Sequence, residues 1–82
     1  MRLDVVLFEL RLYKSRSQAA AAVEAGRALL NGQRAKPSRA VRAGDRVTIL
    51  EPRPRMFEIL ELPRRSLSRE AAKQRLREVA ED

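Results

Sequence analysis

The chain has 82 residues, with neither cysteine nor histidine, so its length allows one small domain with a thin hydrophobic core. This composition excludes disulfides, Cys/His zinc sites, thiol nucleophiles and histidine-centred triads. Charge is the strongest signal, because 18 Lys and Arg residues stand against 11 Asp and Glu residues, for a net charge of +7. Almost all of this excess lies in residues 1–50, and such a basic surface favours a polyanionic partner, most often nucleic acid.

The first predicted element is a helix over residues 3–12. Leu3, Val6, Leu7 and Leu10 recur at helical spacing and form one apolar stripe. Asp4 falls off this stripe and suits the positive end of the helix dipole. Acidic residues inside the apolar stretch argue against a signal peptide, and no apolar run reaches the ~20 residues that span a bilayer.

A second helix is predicted over residues 16–25. Ser15 followed three residues later by Gln18 forms a capping box, the run that follows is rich in alanine, and Gly26 is a typical C-terminal stop. The predicted connection between the helices covers only residues 13–15, which favours a tight helical hairpin or a helix-turn-helix arrangement. Tyr13 in this connection is expected to pack against the following β-hairpin rather than to stack on a base.

After Gly26 the pattern changes to strands separated by turns. Asn31-Gly32 is a strong hairpin signal, because both central residues of a type I′ turn need positive φ. Pro37 interrupts the return strand, and a second turn is predicted around Gly44. The predicted strands are residues 27–30, 33–35, 46–50 and 56–62.

The tail is predicted to be a helix from Ser68, capped by Ser66 or Ser68. Its apolar stripe comprises Ala72, Leu76, Val79 and Ala80.

The predicted order is therefore α-α-β-β-β-β-α, in the α+β class. We expect a two-helix hairpin packed on a small antiparallel sheet, with an added C-terminal strand and helix. Prolines in residues 51–55 mark the boundary between a domain of residues 1–50 and an extension of residues 51–82 that belongs to the same compact unit.

A catalytic role is not predicted. The carboxylates of the first half are spread over three elements and are not paired with a plausible base or metal-binding set, and the chain has neither a phosphate-binding P-loop nor a dinucleotide-binding glycine fingerprint. No enzyme activity, cofactor, metal site or small-molecule substrate is expected.

The basic residues are better organised, because nine of them stand against two acids between Arg11 and Arg46. If the second helix and the hairpin pack side by side, they line one groove with guanidinium groups that suit phosphate. Arg16 lies in the first turn of its helix, where free backbone N–H groups also favour phosphate. The alternative is a set of scattered surface charges.

Residues 2–49 resemble the alpha-L RNA-binding motif, the domain first recognised in ribosomal protein S4. The family implies two helices on a small antiparallel sheet that grip structured RNA. The matching features, in order, are Arg2-Leu3-Asp4, Arg11-Leu12, Lys14-Ser15-Arg16-Ser17, Ala19, Ala20, Gly26, Asn31-Gly32, Lys36-Pro37, Val41 and Gly44-Asp45.

The opening Met1-Arg2-Leu3-Asp4 and the short length are similar to stand-alone members of this family, RqcP and the fifteen-kilodalton heat-shock protein. Those members bind large ribosomal subunits that retain peptidyl-tRNA after a stalled ribosome splits. The near-neutral residues 51–82 favour the RqcP type, because the heat-shock type has a long basic tail. By position, the resemblance implies RNA contacts from Arg2, Arg11, Lys14, Arg16, Arg27, Lys36 and Arg39.

The sequence thus predicts a monomeric, cytoplasmic protein that binds structured rRNA of the large ribosomal subunit, and also peptidyl-tRNA, in quality control of stalled translation. No membrane partner is expected. Two alternatives remain at this point. One is an adaptor that docks a protein through the stripe of its C-terminal helix, and the other is an mRNA-binding translational regulator.

Overall fold

The described residues of the computed structural model, 1–63 and 69–79, form helices and one four-stranded antiparallel sheet with the strand order β1-β2-β3-β4. This architecture confirms the predicted α+β class. In chain order the elements are α1 (Leu3–Glu9), α2 (Arg16–Glu24), β1 (Ala28–Leu30), β2 (Arg46–Ile49), β3 (Arg55–Ile59), α3 (Arg69–Gln74) and β4 (Leu76–Val79).

One hydrophobic core joins the helices to the sheet. The predicted stripe of α1 is buried, as are the small residues on the inner face of α2. Val47 of β2 and Phe57 and Ile59 of β3 complete the core from the sheet. Because neighbouring residues of a strand point to opposite faces, Arg46 and Glu58, which are partners across β2 and β3, lie on the face that points away from this core.

The first helix ends at Glu9, short of the predicted boundary, because Arg11 adopts a left-handed backbone with φ of 64°. The N–H of Arg11 donates to the carbonyl of Phe8 at 2.9 Å, and the N–H of Leu12 donates to the carbonyl of Leu7 at 3.0 Å. These bonds are those of a Schellman C-cap, which satisfies the last carbonyls of a helix. The connection to α2 is consequently longer than predicted.

The second helix begins and ends close to the predicted positions. The Ser15 side chain accepts a hydrogen bond from the backbone N–H of Gln18 at 3.1 Å, which confirms it as the N-cap. Gly26 follows the helix with φ of 75°, the left-handed conformation that glycine adopts without steric cost.

The Asn31-Gly32 turn is confirmed, but the predicted return strand over residues 33–35 is wrong. Both turn residues have positive φ, and Leu30 and Gln33 form an isolated bridge. The partner of β1 is instead β2, because the N–H of Asn31 donates to the carbonyl of Arg46 at 2.7 Å. Residues 34–45 therefore form a long connection rather than a strand.

The prediction of a continuous C-terminal helix is also wrong. The helix ends at Gln74, and Leu76 and Val79 lie on β4, which pairs with β3. Leu76 and Val79 are three residues apart, which fits one face of a helix. They are also the first and last residues of the short edge strand β4, and both are half-buried there. The predicted caps Ser66 and Ser68 and the stripe residue Ala80 lie outside the described residues. The helical face proposed for an adaptor is thus not formed by Leu76 and Val79.

Ion pairs tie β4 to β3 on both faces of the sheet, with Arg55–Glu78 on the face that carries Phe57 and Arg77–Glu58 on the opposite face. Arg55 holds Glu78 with two hydrogen bonds, at 3.0 and 2.7 Å, and Arg77 bonds Glu58. These hydrogen bonds lower the pKa of Glu78 and the pKa of Glu58. Because both folded-state pKa values lie below those of the unfolded chain, the stabilisation is fully present above about pH 4.3 and is lost as the pH falls through the lowered values.

We therefore expect the Glu58→Gln/Glu78→Gln variant to be less stable than the parent protein at pH 7, and to lose less further stability on acidification. Urea unfolding at a series of pH values from neutral to acidic measures both quantities. Parallel pH profiles for parent and variant would show that these pairs do not hold β4 to the sheet.

Candidate nucleic-acid interface

The N-terminus of α1 is covered by the backbone of the long connection between β1 and β2. This helix has no side-chain cap. Instead, the N–H of Leu3 donates to the carbonyl of Arg39 at 2.9 Å, and the N–H of Asp4 donates to the carbonyl of Pro37 at 3.1 Å. Helix N–H groups that lack an intrahelical partner are thereby satisfied. The same contacts fix residues 36–39 beside the start of α1.

Asp4 is the organising side chain of this region, with only 4% of its side chain exposed. Its carboxylate accepts hydrogen bonds from the Nε and Nη2 atoms of Arg2, both at 3.1 Å, and from the N–H of Val5 at 2.8 Å. The Nε atom of Arg16 lies 3.6 Å from the second carboxylate oxygen. One buried anion therefore positions the guanidinium groups of two elements, the start of α1 and the start of α2.

The two arginines remain available to a ligand. About half of each side chain is exposed, 50% for Arg2 and 55% for Arg16. A guanidinium group has donors on more than one edge, so the edge that bonds Asp4 leaves others for phosphate. Because Asp4 already holds each guanidinium group in place, less conformational entropy is lost when a ligand binds.

A shallow cavity of ≈540 Å³ lies beside these groups and is lined by Arg2, Lys36, Ala20 and Glu24 among others. Residues four apart share one side of a helix, so Arg16, Ala20 and Glu24 lie on the same side of α2. The four polar residues at this place, Arg2, Asp4, Arg16 and Lys36, are called the Asp4 face below.

Arg39 adjoins the Asp4 face through its backbone, and its side chain is exposed. Arg27 lies elsewhere and forms an ion pair with Glu51 at 3.3 Å. Beside this pair Tyr13 is half-buried and packs against the core. Its pKa is raised, chiefly by burial, with a lowering effect from Arg27 and a smaller raising effect from Glu51. Arg27 therefore lies apart from the Asp4 face, with a carboxylate partner of its own.

Arg11 and Lys14 lie on a different surface. They line a groove against the C-terminal part of the chain, together with Gln18 of α2. Gln18 and Arg16 are two residues apart on a helix, so they point in directions about 200° apart. The seven predicted contact residues therefore do not line one groove. Arg2, Arg16 and Lys36 are together, Arg39 is adjacent, Arg11 and Lys14 form a second group, and Arg27 is paired with Glu51.

Asp4 is the residue that sequence reasoning missed. The sequence predicts Asp4 to be a surface charge at the start of a helix, off the apolar stripe. In the structure Asp4 is buried and forms ion pairs with two arginines. A signal was present in Arg2-Leu3-Asp4, since the N-cap position and the second helical residue are close enough for a side-chain ion pair. Arg34 was grouped with the other bases, but its Nη2 atom donates to the carbonyl of Glu24 at 2.8 Å and so caps α2.

Arg11 occupies a position that normally favours glycine. The C-cap that follows α1 places Arg11 in the left-handed conformation, with φ of 64°. The C-cap that follows α2 has the same hydrogen-bond pattern, but Gly26 occupies the equivalent position, with φ of 75°. A non-glycine residue in this conformation costs about 1–2 kcal/mol, and such strain is concentrated at functional positions.

We expect Arg11→Gly to raise the free energy of unfolding by about 0.5–1 kcal/mol, because relief of strain outweighs the added freedom of the unfolded chain. The same variant should bind RNA less tightly. Urea unfolding and RNA titration measure the two effects. Gly26→Ala is the matched control and should destabilise the protein, since its Cβ would lie 3.2 Å from the Nε atom of Arg34. A destabilised Arg11→Gly variant would make Arg11 a structural residue.

Residues 1–63 and 69–79 contain neither a metal-binding cluster nor a membrane-spanning helix. Within these ranges no group of three or more acidic side chains is arranged to hold a metal ion. Of the helices there, none has the length and apolar character needed to cross a bilayer.

Comparisons with known proteins agree with the fold and with the resemblance noted in the sequence. The heat shock protein 15 homolog of Aeromonas salmonicida is 50% identical over 44 residues, which are 54% of this chain and 33% of that protein. The chain thus spans about a third of the length of this curated relative. A trimeric structure of Vibrio cholerae heat shock protein 15 has a TM-score of 0.91 and 37% identity, over 98% of this chain and 82% of that one.

Both relatives carry the heat-shock name, rather than that of the RqcP type which the near-neutral extension favoured. The S4 domain family model matches residues 1–47, more than half of the chain. The chain therefore belongs to the S4 domain family of RNA-binding domains.

Proposed function

We propose that this protein binds structured rRNA on the large ribosomal subunit through the Asp4 face. The observation that supports this most is the buried carboxylate of Asp4, which holds the half-exposed guanidinium groups of Arg2 and Arg16. A pair of arginines fixed in this way suits two phosphates at a set spacing, as on a folded RNA, better than a flexible strand.

Each cation of the face has a distinct part in the proposed complex. The forks of Arg2 and Arg16 bind phosphate oxygens by charge-assisted hydrogen bonds. The backbone N–H groups at the start of α2 form the positive end of the helix dipole, which also favours a phosphate beside Arg16. Lys36, held next to α1 by the bonds of Pro37 and Arg39, supplies a further positive charge. The protein acts by binding, with no cofactor and no chemical step.

We propose that this binding serves the rescue or quality control of stalled nascent chains, on large subunits that retain peptidyl-tRNA. Support comes from family resemblance and from similarity to heat shock protein 15. This role belongs in the cytoplasm. We further propose that one copy binds as a monomer, although the Vibrio cholerae relative forms a trimer in its structure. Light scattering of the protein alone and with RNA distinguishes the two states.

Sedimentation of the tagged protein through a sucrose gradient tests the proposal. We expect the protein to migrate with free large subunits, and more strongly with subunits that carry peptidyl-tRNA than with empty ones. Migration with neither subunit, together with retained binding to an mRNA, would favour a translational regulator. Sedimentation that depends on an added protein rather than on RNA would favour an adaptor.

A further inference from the structure

A second basic surface lies between the α1–α2 connection and the C-terminal part of the chain. This groove has a volume of ≈1020 Å³, at the upper end of the ~300–1,000 Å³ of small-molecule sites. We call it the extension groove; its charged side chains are Arg11, Lys14, Arg55, Arg69, Lys73 and Glu78.

The charge of the extension groove is strongly one-sided, with five basic side chains against one acidic. The single carboxylate, Glu78, is held by two hydrogen bonds from Arg55. The remaining cations come from separate elements, two from the α1–α2 connection and two from α3. Cations on both sides of a groove are an arrangement that follows a phosphate backbone along its length.

Aromatic side chains also line the extension groove. Tyr13 borders it and is half-buried, and the guanidinium carbon of Arg55 lies over the ring of the buried Phe57, 5.1 Å from its centroid. Unpaired bases stack on aromatic rings and on guanidinium planes. The carboxylate side chains of an acidic peptide match the charges but have no ring to stack on these surfaces. The combination therefore favours RNA over an acidic protein segment.

The extension groove and the Asp4 face lie on opposite sides of the first turn of α2. Gln18 lines the groove and Arg16 reaches Asp4, and these positions point about 200° apart on a helix. The two surfaces can therefore be occupied together. They also differ in kind, because the Asp4 face fixes two guanidinium groups through one buried anion, whereas the groove has two flat side chains suited to stacking, Tyr13 and Arg55.

From this arrangement we infer that the extension groove binds single-stranded RNA with little sequence preference, as a site separate from the Asp4 face. Phosphates contact the cations of α3 and of the α1–α2 connection, and bases stack at Tyr13 and on the guanidinium plane of Arg55. This inference goes beyond the proposed function and does not require binding to the ribosome. It gives the C-terminal extension a direct part in RNA binding.

A fluorescent oligouridylate of about ten nucleotides is the probe, since single-strand sites span ~4–16 nucleotides. Contact with four phosphates gives a slope of log affinity on log salt near −3. We expect Arg69→Ala/Lys73→Ala to weaken binding about tenfold and to make the slope shallower by about 1.4. Arg46→Ala, on the other side of the sheet, should change neither quantity. Both α3 residues are exposed, so the variant should fold normally.

The same variants separate this site from the Asp4 face. Arg69→Ala/Lys73→Ala should leave the affinity for large ribosomal subunits within about twofold of the parent value, whereas Arg16→Ala should spare oligouridylate binding. Unchanged oligouridylate binding in the α3 variant overturns the inference, as does equally tight binding of an oligoglutamate of similar length. Oligouridylate binding without subunit binding would refute the proposed function alone.

Discussion

The Arg2→Ala/Arg16→Ala variant is expected to lose about 3 kcal/mol of folding stability, well beyond the effect of removing two ordinary surface arginines. Asp4 is buried, and in this variant only the N–H of Val5 remains among its hydrogen-bond donors shown here. Removing the partners of a buried charge costs about 3–5 kcal/mol, and the N-terminus of α1 keeps the loss near the lower end of that range. Urea unfolding at pH 7 measures the change.

A third substitution separates the charge effect from general damage. Adding Asp4→Asn to this variant removes the unpaired charge with almost no change in shape, so most of the lost stability should return. RNA binding should not return, because both guanidinium groups are still absent. A triple variant as unstable as the double variant would show that Asp4 does not organise the arginines through its charge.

Arg16→Ala alone is expected to weaken binding to large ribosomal subunits by about 1–3 kcal/mol, which is roughly fivefold to 150-fold. The reason is the loss of a charge-assisted phosphate contact whose geometry Asp4 fixes in advance. Stability should fall only slightly, because Arg2 still holds Asp4 with two hydrogen bonds. Filter binding or anisotropy measures affinity, and thermal unfolding measures stability in the same samples.

Two companion variants test whether the effect depends on the position and planar shape of the Arg16 guanidinium group rather than on charge alone. Arg16→Lys keeps the charge but loses the planar fork, so its affinity should lie between those of the parent and Arg16→Ala. Arg46→Ala removes one positive charge from the outer face of the sheet and should change affinity by less than about twofold. Equal losses in Arg16→Ala and Arg46→Ala would point to net charge rather than to the Asp4 face.

The parts of the fold that depend on local pattern were predictable from sequence. The apolar stripe of α1, the Ser15 cap of α2 and the Asn31-Gly32 turn all rest on interactions between residues close in the chain. The prediction failed where distant partners decide the structure. Residues 33–35 are not a strand because β1 pairs with β2, and Leu76 lies on a strand because β3 offers it an edge.

In the candidate site, too, the residue types were predictable from sequence, whereas the contacts between distant residues were not. Residue types and charge density predicted the arginines, because phosphate contact requires these side chains wherever they lie. Burial of Asp4 was not predictable, since it depends on the backbone of Pro37 and Arg39 closing over the start of α1. The separation of Arg11 from Arg16 depends on the path of the α1–α2 connection, which the left-handed conformation of Arg11 sets.

The central claim is that the Asp4 face binds the phosphates of structured RNA. Its most direct test is the salt dependence of affinity for large ribosomal subunits at constant magnesium, with the parent protein and the Asp4→Asn/Arg2→Ala/Arg16→Ala variant compared. Contact with about four to six phosphates predicts a parent slope of roughly −3 to −5, and the loss of two cations predicts a variant slope shallower by about 2. Identical slopes for the two proteins, or a parent slope near zero, would contradict the claim.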